Sequence, residues 1–251
     1  MSVKRIICVI PCRYDSSRFP GKPLVMIKGK CLMQRVYENA VKTGIFDRVI
    51  VATDDYRICN RCKGFDIDYV STSKFCRTGT DRLAEVSKVI DADLYINLQG
   101  DEPLILPDTI SSFVERIVDG YNCYNCMAKC DIVDSLNVNV PKVVFNKDYE
   151  LLYSSRRDIP YNSSIYFKEL GLHGYTREGL QVFSSLGSSY NEGIESIEFL
   201  RFVDNDISVK MVEVELPFNN HAVDIRSDVG VVESIIEMEC IDKNEYVFPI
   251  Y

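Results

Sequence analysis

The stretch Val9–Leu24 has the sequence VIPCRYDSSRFPGKPL and turns a buried strand into a polar loop. The run Ile6–Ile10 is apolar and β-branched, which is typical of a strand inside a sheet. Pro11 ends this strand because proline has no N–H for the hydrogen-bond ladder. Three cations follow in the loop: Arg13, Arg18 and Lys22. Cations and free backbone donors directly after a first strand can bind a polyphosphate, so we predict a phosphate-binding loop rather than a merely solvated basic one.

Length and composition indicate one globular domain with a substantial core. The chain has 251 residues, of which 46% are hydrophobic and 26% are charged, and these values are ordinary for a globular protein. Its formal net charge of −8 argues against a nucleic-acid-binding surface. No window approaches the roughly eighteen apolar residues of a membrane span, and residues 1–10 are too β-like for a signal peptide. We therefore expect a cytoplasmic protein with neither a nucleic-acid nor a membrane partner.

The ten cysteines raise the question of a metal site. Two close groupings occur, Cys59-Asn-Arg-Cys62 and Cys123-Tyr-Asn-Cys126, the latter followed by Cys130. These intervals fit neither a zinc ribbon nor a zinc finger. Without a secretion signal, a disulfide framework is not expected either. We predict ordinary buried or half-buried thiols, and their role stays open.

The first half of the chain alternates strand and helix patterns. The predicted strands are Ile6–Ile10, Arg48–Ala52, Asp66–Val70 and Leu94–Leu98. The predicted helices are Cys31–Thr43, Thr80–Val89 and Asp108–Ile117. This alternation predicts an α/β fold, a Rossmann-like and mostly parallel sheet with helices on both faces. In such a fold, ligands lie over the carboxyl ends of the strands.

The second half predicts a smaller antiparallel β excursion. Short extended runs occur at Met127–Ile132, Lys142–Phe145, Leu151–Ser154, Gly171–Thr176 and Val209–Val214. Two further helices are predicted at Ile194–Phe202 and Ser227–Met238. No repeat or linker divides the chain, so we predict a single domain, residues 1–251.

Two aspartates are the candidate metal ligands. Asp101 follows a buried strand, and Asp224 lies just before the last predicted helix. Strand-end carboxylates over a parallel sheet suit Mg²⁺, a hard cation that prefers oxygen ligands and keeps several waters. One carboxylate from each half would place the ion between two substrates, and whether one or two ions bind is left open. Asp228, in the first turn of that helix, is predicted to have no chemical part.

Two arginine-bearing loops are further candidates. The loop Arg77–Arg82 offers its backbone amides and Arg82 to a base or ribose, or simply caps a helix. The segment Ser154–Pro160 carries two adjacent arginines after a strand. Two alternatives stay open: either one of these arginines binds a substrate carboxylate through a bidentate contact, or both are solvated.

These segments resemble the 3-deoxy-manno-octulosonate (Kdo) cytidylyltransferases, from about residue 5 to residue 238. The most specific matches are PCRYDSSRFPGKPL and INLQGDEP. Supporting matches are VATDD, RTGTDRLAE, VPKVV, LYSSRRDIP, LGLHGY, ESIEFLR and AVDIRSD. CMP-sialic acid synthetases share the fold and a similar opening loop, but the FPGKPL form and the Ser-Arg-x-x-Ile-Pro segment favour the Kdo branch.

The resemblance implies a role for each candidate residue. Those implied to bind CTP are Arg13, Ser17, Arg18, Lys22, Thr78, Gly79, Thr80, Arg82 and Gln99. Those implied to act in catalysis are Asp101, Lys22 and Arg13, with Asp101 and Asp224 as ligands of Mg²⁺. Those assigned to the sugar are Arg156, which would hold its carboxylate, and Lys142, Glu169, His173, Glu198 and Phe199.

The resemblance also implies a division of labour and a partner. Residues 1–120 would mainly bind CTP, 121–220 would bind the acidic sugar and form a homodimer, and 221–251 would form the closing helix and tail. Whether the tail Cys240–Tyr251 docks on its own chain or on a neighbour stays open. The implied reaction is attack by the anomeric hydroxyl of a 3-deoxy-2-ulosonic acid on the α-phosphorus of CTP, which gives a CMP-sugar and pyrophosphate.

Three positions of the sugar site depart from the family pattern. Relatives usually carry His, Tyr and Gln where this chain has Glu169, His173 and Phe199, and Tyr161–Lys168 looks shorter than usual. Such exchanges change the hydrogen bonding to hydroxyl groups of the sugar. The acceptor therefore stays open among Kdo, an amino-Kdo and a sialic-acid-like nonulosonate. A non-catalytic nucleotide-binding paralogue is the alternative from another class.

Overall fold

The structure, a computed structural model, describes residues 4–16, 18–239 and 241. Ser17 lies outside the described residues, and so does nearly all of the tail, residues 240 and 242–251. The nucleotide-binding role of Ser17 and the docking of the tail therefore stay predictions.

The strands of the described residues form one large sheet and a small hairpin. In chain order they are β1 (Ile6–Pro11), β2 (Met26–Ile27), β3 (Lys30–Cys31), β4 (Arg48–Thr53), β5 (Tyr69–Ser71), β6 (Leu94–Leu98), β7 (Cys123–Cys130), β8 (Lys142–Phe145), β9 (Leu151–Ser155), β10 (Tyr166–Tyr175) and β11 (Lys210–Glu213). The large sheet runs β11-β7-β10-β6-β1-β4-β5, with β8 added to β10 and β9 to β8. β2 and β3 form the hairpin.

Helices cover both faces of this sheet. In chain order the described residues form α1 (Leu32–Lys42), α2 (Tyr56–Gly64), α3 (Gly79–Val89), α4 (Pro107–Glu115), α5 (Ile132–Leu136), α6 (Arg177–Ser185), α7 (Tyr190–Glu195), α8 (Leu200–Val203) and α9 (Asp228–Met238). A search of the described residues found no helix with the length and apolar character needed to cross a bilayer.

The parallel part of the sheet confirms the predicted fold class. β5, β4, β1 and β6 run parallel to one another, and α1, α2 and α3 lie in the connections between them, as parallel pairing requires. The antiparallel strand β10 then joins β6 to β7. The chain thus reverses its direction of winding between β1 and β6, where α/β proteins place their ligands.

Two predicted elements have the wrong bounds for a local reason. The strand predicted at Asp66–Val70 begins only at Tyr69, because Asp66 adopts a left-handed conformation with φ of 55°. The helix predicted at Ile194–Phe202 is interrupted, because Ser196 has φ of 55° and ends α7. Hydrophobic spacing does not report such single left-handed residues.

The sequence prediction also misses three helices (α2, α5 and α6), the hairpin of β2 and β3, and the starts of two strands. α2 buries only Ile58 and Cys62, which is too sparse an apolar pattern to indicate a helix. α6 is missed as well, and β7 and β10 begin at Cys123 and Tyr166, earlier than predicted.

The core lies on both faces of the sheet, because neighbouring strand residues point to opposite sides. In β1, Cys8 and Ile10 join one buried cluster together with residues of α1, α4 and α9. Ile7 and Val9 join the other, together with residues of α3, α6 and α8. Two-sided burial explains why the strand reads as a continuous apolar run.

Replacing Gly179 with alanine is expected to destabilise the fold. A methyl group at this position would overlap the carbonyl oxygen of Asn122, which also accepts a hydrogen bond from the Thr176 N–H. The overlap involves backbone, so we expect a loss of about 3 kcal/mol in the free energy of unfolding, measured by urea denaturation. Gly230→Ala is the matched control, because Gly230 is also the third residue of its helix and a Cβ there meets nothing within 4 Å. Equal midpoints for the two variants would contradict the expectation.

Candidate active site

A cleft of about 460 Å³ opens at the carboxyl ends of β1 and β6. Its walls come from the loop after β1, the start of α3, the turn after β6, the segment 188–201 and Asp224. The residues predicted for nucleotide and metal that line it are Arg13, Arg18, Lys22, Thr78, Gly79, Arg82, Gln99, Asp101 and Asp224. Thr80 lies behind the wall, fully buried, with its Oγ1 3.2 Å from the hydroxyl oxygen of Tyr175. The structure therefore brings together residues from both ends of the chain.

The loop after β1 is folded by a glycine. Gly21 has φ of 75°, a left-handed conformation that glycine adopts without steric cost. Its N–H donates to the carbonyl oxygen of Tyr14 at 2.8 Å, and the Tyr14 ring lies 3.1 Å from where a Cβ would stand. This turn delivers the short 3-10 turn Lys22–Leu24, which carries Lys22 into the cleft.

The two candidate metal ligands face the same cleft on adjacent segments. The backbone N–H of Val223 donates to the carbonyl oxygen of Asp101 at 2.9 Å, which places Asp224 next to the turn after β6. The Asp101 carboxylate pairs with Lys22 Nζ at 2.6 Å. The Asp224 carboxylate pairs with Arg18 Nη2 at 2.8 Å. Each acid is thus charge-compensated by a cation of the loop after β1.

Asp228, for which the sequence predicted no chemical part, holds the Asp224 segment in place. Its Oδ2 accepts hydrogen bonds from the backbone N–H groups of Asp224 at 2.7 Å and Ile225 at 2.9 Å. Its Oδ1 lies 3.5 Å from His221 Nε2. Asp228 caps this turn and does not line the cleft.

The chemistry of the donor set fits Mg²⁺. Asp101 and Asp224 offer hard carboxylate oxygens, and the described residues contain no cluster of three or more His, Cys, Asp or Glu side chains placed to hold a metal. Mg²⁺ needs only one or two protein carboxylates when waters and phosphate oxygens complete its shell. The ion would take the place of Lys22 and Arg18 as the counter-charge of these acids.

Glu102 is a buried carboxyl group that joins three segments of the site. Its oxygens accept hydrogen bonds from Asn220 Nδ2 at 2.7 Å and from the Gly171 N–H at 3.2 Å. Asn220 precedes Asp224 along the chain, and Gly171 lies in β10. Burial, together with the neighbouring Asp101 carboxylate, raises the pKa of Glu102 to about 7.

This raised pKa predicts a pH-dependent stability. The folded chain keeps the Glu102 proton at pH values where the unfolded chain, with its ordinary pKa near 4.5, has already released it. The free energy of unfolding should therefore fall as the pH rises from about 4.5 to about 7, by at most about 3 kcal/mol. Urea denaturation in metal-free buffer at several pH values measures this slope, and Glu102→Gln should flatten it. An unchanged slope in that variant would assign the pH dependence to other groups.

The amino end of α3 is occupied by a carboxylate of the same chain. Thr78 and Asp81 form a capping box there. The two oxygens of Glu198 accept hydrogen bonds from the backbone N–H groups of Gly79 and Thr80, both at 3.2 Å. The positive end of the helix dipole favours an anion at this point. Glu198 therefore lies in the cleft, on the amides that the sequence assigned to the nucleotide.

Arg82 enters the cleft wall from the same helix and is anchored from behind. Its guanidinium donates to Asp54 at 2.8 Å and to Thr72 at 2.6 Å. Asp54 belongs to the VATDD segment after β4, and Thr72 follows β5. The order of the parallel strands thus sets the position of this arginine.

Lys142 and Arg156, assigned to the sugar, lie beside the cleft and do not line it. Lys142 Nζ donates to three backbone carbonyls at 2.7 to 2.9 Å: those of Asn137, Val140 and Arg156. Burial lowers the pKa of Lys142. The Arg156 guanidinium donates to the carbonyls of Val138, Glu195 and Ser196. Both cations therefore tie the loop before β8 to the strands and to the end of α7.

The three divergent positions form a buried group on the sheet. Glu169 and His173 both lie on β10, with Glu169 Oε1 3.5 Å from His173 Nε2. The Phe199 ring packs edge-on against the His173 ring, with centroids 4.7 Å apart. These side chains do not line the cleft, although Phe199 directly follows Glu198, which does.

One buried ion pair in the cleft wall is missed by the sequence reading. Arg201 is 1% exposed and pairs with Glu192 at 2.5 Å, and both residues line the cleft. A continuous helix was predicted over this region, whereas the break at Ser196 turns α8 back onto α7. The separation of nine residues carries no helical signal for such a pair.

The described cysteines are free thiols. Burial raises the pKa of Cys62 to about 12 and that of Cys76 to about 11, so these groups stay protonated at neutral pH. Cys12 lies in the cleft wall, where its Sγ would be 2.8 Å from a Cβ at Gly100. That close approach explains why the turn after β6 carries a glycine.

Comparisons with known proteins agree with this geometry. A family model described as cytidylyltransferase matches residues 7–198. A 3-deoxy-manno-octulosonate cytidylyltransferase from Syntrophobacter fumaroxidans is 36% identical over 94% of this chain and 99% of its own length. One from Escherichia coli is 38% identical over 84% of this chain and 89% of its own length.

A solved structure has the same fold throughout. The CMP:2-keto-3-deoxy-manno-octonic acid synthetase complexed with CTP superposes with a TM-score of 0.86, at 35% identity, over 94% of this chain and 99% of that one. Because sequence and fold agree over nearly the whole length of both proteins, the chain belongs to the 3-deoxy-manno-octulosonate cytidylyltransferase family.

Proposed function

We propose that this protein transfers CMP from CTP to the anomeric hydroxyl of a 3-deoxy-2-ulosonic acid of the Kdo class. The observation that carries the proposal is that Asp101, Asp224 and the cations of the loop after β1 all face one cleft. Relatives named for this reaction share the fold and the sequence along most of the chain. A triphosphate that binds together with a metal ion needs both groups: the carboxylates for the ion and the cations for the phosphates.

The reaction is an in-line displacement at phosphorus. The sugar oxygen forms the new bond to the α-phosphorus, the bond from that phosphorus to the bridging oxygen breaks, pyrophosphate leaves, and the hydroxyl proton passes to solvent. Arg13, Arg18 and Lys22 hold the phosphates and stabilise the leaving pyrophosphate. Asp101 and Asp224 would hold Mg²⁺, which when bound would offset charge at the α-phosphate and lower the pKa of the attacking hydroxyl.

The cytidine side of the site is proposed at the start of α3. Its residues are Thr78, Gly79, Thr80, Arg82 and Gln99. Support comes from the amides at this helix end, which already hold a carboxylate oxygen each. Glu198 would leave these amides when a nucleotide binds there, because two acceptors compete for the same N–H groups.

The acceptor side is proposed across β8–β10, with Arg156 as the partner of the sugar carboxylate. In the structure, the guanidinium of Arg156 donates to the backbone carbonyls of Val138 and of Ser196, and Ser196 lines the cleft. A carboxylate is a stronger acceptor than a carbonyl for a guanidinium. We therefore expect the loop 137–140 to shift when the sugar binds.

A homodimer is proposed through the second half of the chain. Large apolar side chains are exposed there, among them Val133 at 72%, Leu136 at 66% and Leu152 at 54%. A contiguous patch of exposed apolar side chains is typical of an interface, and Val133 and Leu136 share the helix α5. Light scattering coupled to size-exclusion chromatography should give twice the mass of one chain. A monomer at micromolar concentration would contradict this.

The experiment that tests the activity measures pyrophosphate. The purified chain is incubated with CTP, Mg²⁺ and Kdo or a related ulosonic acid, and pyrophosphate release is followed with a coupled phosphate assay. Release should require all three components and should stop when ATP replaces CTP. Tight CTP binding without release from any acid sugar would instead support a non-catalytic nucleotide-binding protein.

A further inference from the structure

A row of polar side chains crosses three neighbouring strands beside the cleft. His173 on β10 is the register partner of Asn97 on β6 and of Asn125 on β7. Each of the three lies two residues along its strand from a member of one and the same apolar cluster. Alternate residues of a strand point to the same side, so all three side chains lie on the face of the sheet that this cluster covers. Asn97 and Asn125 are completely buried, and His173 is 6% exposed. Buried polar side chains in this number are unusual in the middle of a sheet.

Three atoms of this row have no hydrogen-bond partner among the described residues. They are Asn97 Oδ1, Asn125 Oδ1 and His173 Nε2. Asn125 Nδ2 donates to Glu169 Oε2 at 3.0 Å, and Asn97 Nδ2 lies 3.5 Å from His173 Nδ1. A buried polar atom without a partner is unfavourable, so a ligand that pairs with these atoms gains affinity.

Glu169 adds a partly buried carboxylate to the row. Its side chain is 12% exposed, and its Oε1 lies 3.5 Å from His173 Nε2 without hydrogen-bond alignment. No lysine or arginine of the described chain pairs with it, in contrast to Asp101 and Asp224. A carboxylate in a low-dielectric site is costly unless a positive charge approaches it.

The row lies at the same end of the sheet as the cleft. Two residues after Asn97, Gln99 lines the cleft, and its N–H donates to the carbonyl of Gly171 on β10. Phe199 packs on His173 and stacks on Tyr175 with centroids 5.9 Å apart. Its neighbour Glu198 lines the cleft. For the acceptor to reach the row, Phe199 would have to move off His173, and release of Glu198 from the α3 amides would remove one restraint on it.

We propose that Asn97, Asn125 and Glu169 bind a protonated amine of the acceptor sugar, so that this enzyme prefers an amino-substituted 3-deoxy-2-ulosonic acid to Kdo. This inference rests on the proposed function and specifies its acceptor.

The chemistry of the row selects an ammonium over a hydroxyl group. An ammonium group carries three N–H donors, and the row offers three acceptors: two amide oxygens and one carboxylate. A hydroxyl supplies a single donor and no charge, so it would leave acceptors unpaired and the Glu169 charge uncompensated. A site built for a hydrogen-bonding group discriminates strongly against the analogue that lacks it.

The test compares acceptors under identical CTP and Mg²⁺ conditions. The probes are Kdo and a set of Kdo analogues in which one hydroxyl at a time is replaced by a primary amine, scored by pyrophosphate release. We expect kcat/KM for at least one amino analogue to exceed that for Kdo by about tenfold or more. Equal or better turnover of Kdo would overturn the inference and leave the proposed function standing. Release from none of the acids would contradict the proposed function itself.

Variants assign the preference to the row. Glu169→Gln should lower kcat/KM for the preferred amino analogue about tenfold or more while changing the KM for CTP little. Glu178→Gln is the control, because Glu178 is an exposed carboxylate on the next element. Asn97→Leu removes a second acceptor and should act in the same direction. A preference that survives in both variants would overturn the inference, and if neither variant folds, the wild-type preference decides.

Discussion

Asp101→Asn is expected to lower kcat about a thousandfold, because a carboxylate that holds the metal contributes several kcal/mol to the transition state. Asparagine keeps the size of the side chain and one oxygen, but it loses the charge. In the structure, this charge meets Lys22 at 2.6 Å inside the cleft. Steady-state pyrophosphate release at saturating CTP and sugar measures the loss.

The fold should survive this substitution. The Asp101 side chain is 30% exposed. The hydrogen bond that joins the turn after β6 to the Asp224 segment uses the backbone carbonyl of Asp101, which the substitution keeps. We therefore expect an unchanged denaturation midpoint. Asp108→Asn, at the exposed start of α4, is the matched control and should keep full activity. Near-normal kcat in Asp101→Asn would refute the metal role of Asp101.

Lys22→Met is expected to lower kcat/KM for CTP about a hundredfold, since a preorganised cation at the phosphates acts where charge develops. Methionine keeps the apolar stem and removes the ammonium group. Lys22 is 15% exposed and pairs with Asp101, so the variant also leaves that carboxylate without its cation. Titration calorimetry with CTP and initial rates together separate binding from turnover.

The matched control for Lys22→Met is Lys147→Met, because Lys147 is an exposed lysine in the turn between β8 and β9. Its activity should be unchanged. If Lys22→Met bound CTP and turned it over like the wild type, the loop after β1 would not hold the phosphates, and the arginines of that loop would lose their assigned role with it.

The sequence predicted the parallel core well, and it predicted that the loop after β1 and the turn after β6 would meet at one cleft. Strands such as β1 and β6 are buried on both faces, so their composition reports them directly. Parallel connectivity then places every strand end at one edge, which is why Lys22 and Asp101 could be expected to meet.

The wall of the cleft formed by residues 188–201 was less predictable, because it depends on single backbone conformations and long-range contacts. The left-handed Ser196 breaks a helix and brings Glu192 to Arg201. The carboxylate of Glu198 reaches α3 across 118 and 119 residues of chain. The hydrophobic period of a segment contains neither fact.

The most direct test of the account is the position of the metal in a crystal of the protein with CTP and Mn²⁺ in place of Mg²⁺. Anomalous scattering locates the ion without reference to any assumed chemistry. The account predicts one anomalous peak in contact with the carboxylates of both Asp101 and Asp224 and with a phosphate oxygen of CTP. A peak held by the phosphates alone, or CTP bound away from Lys22, would contradict it.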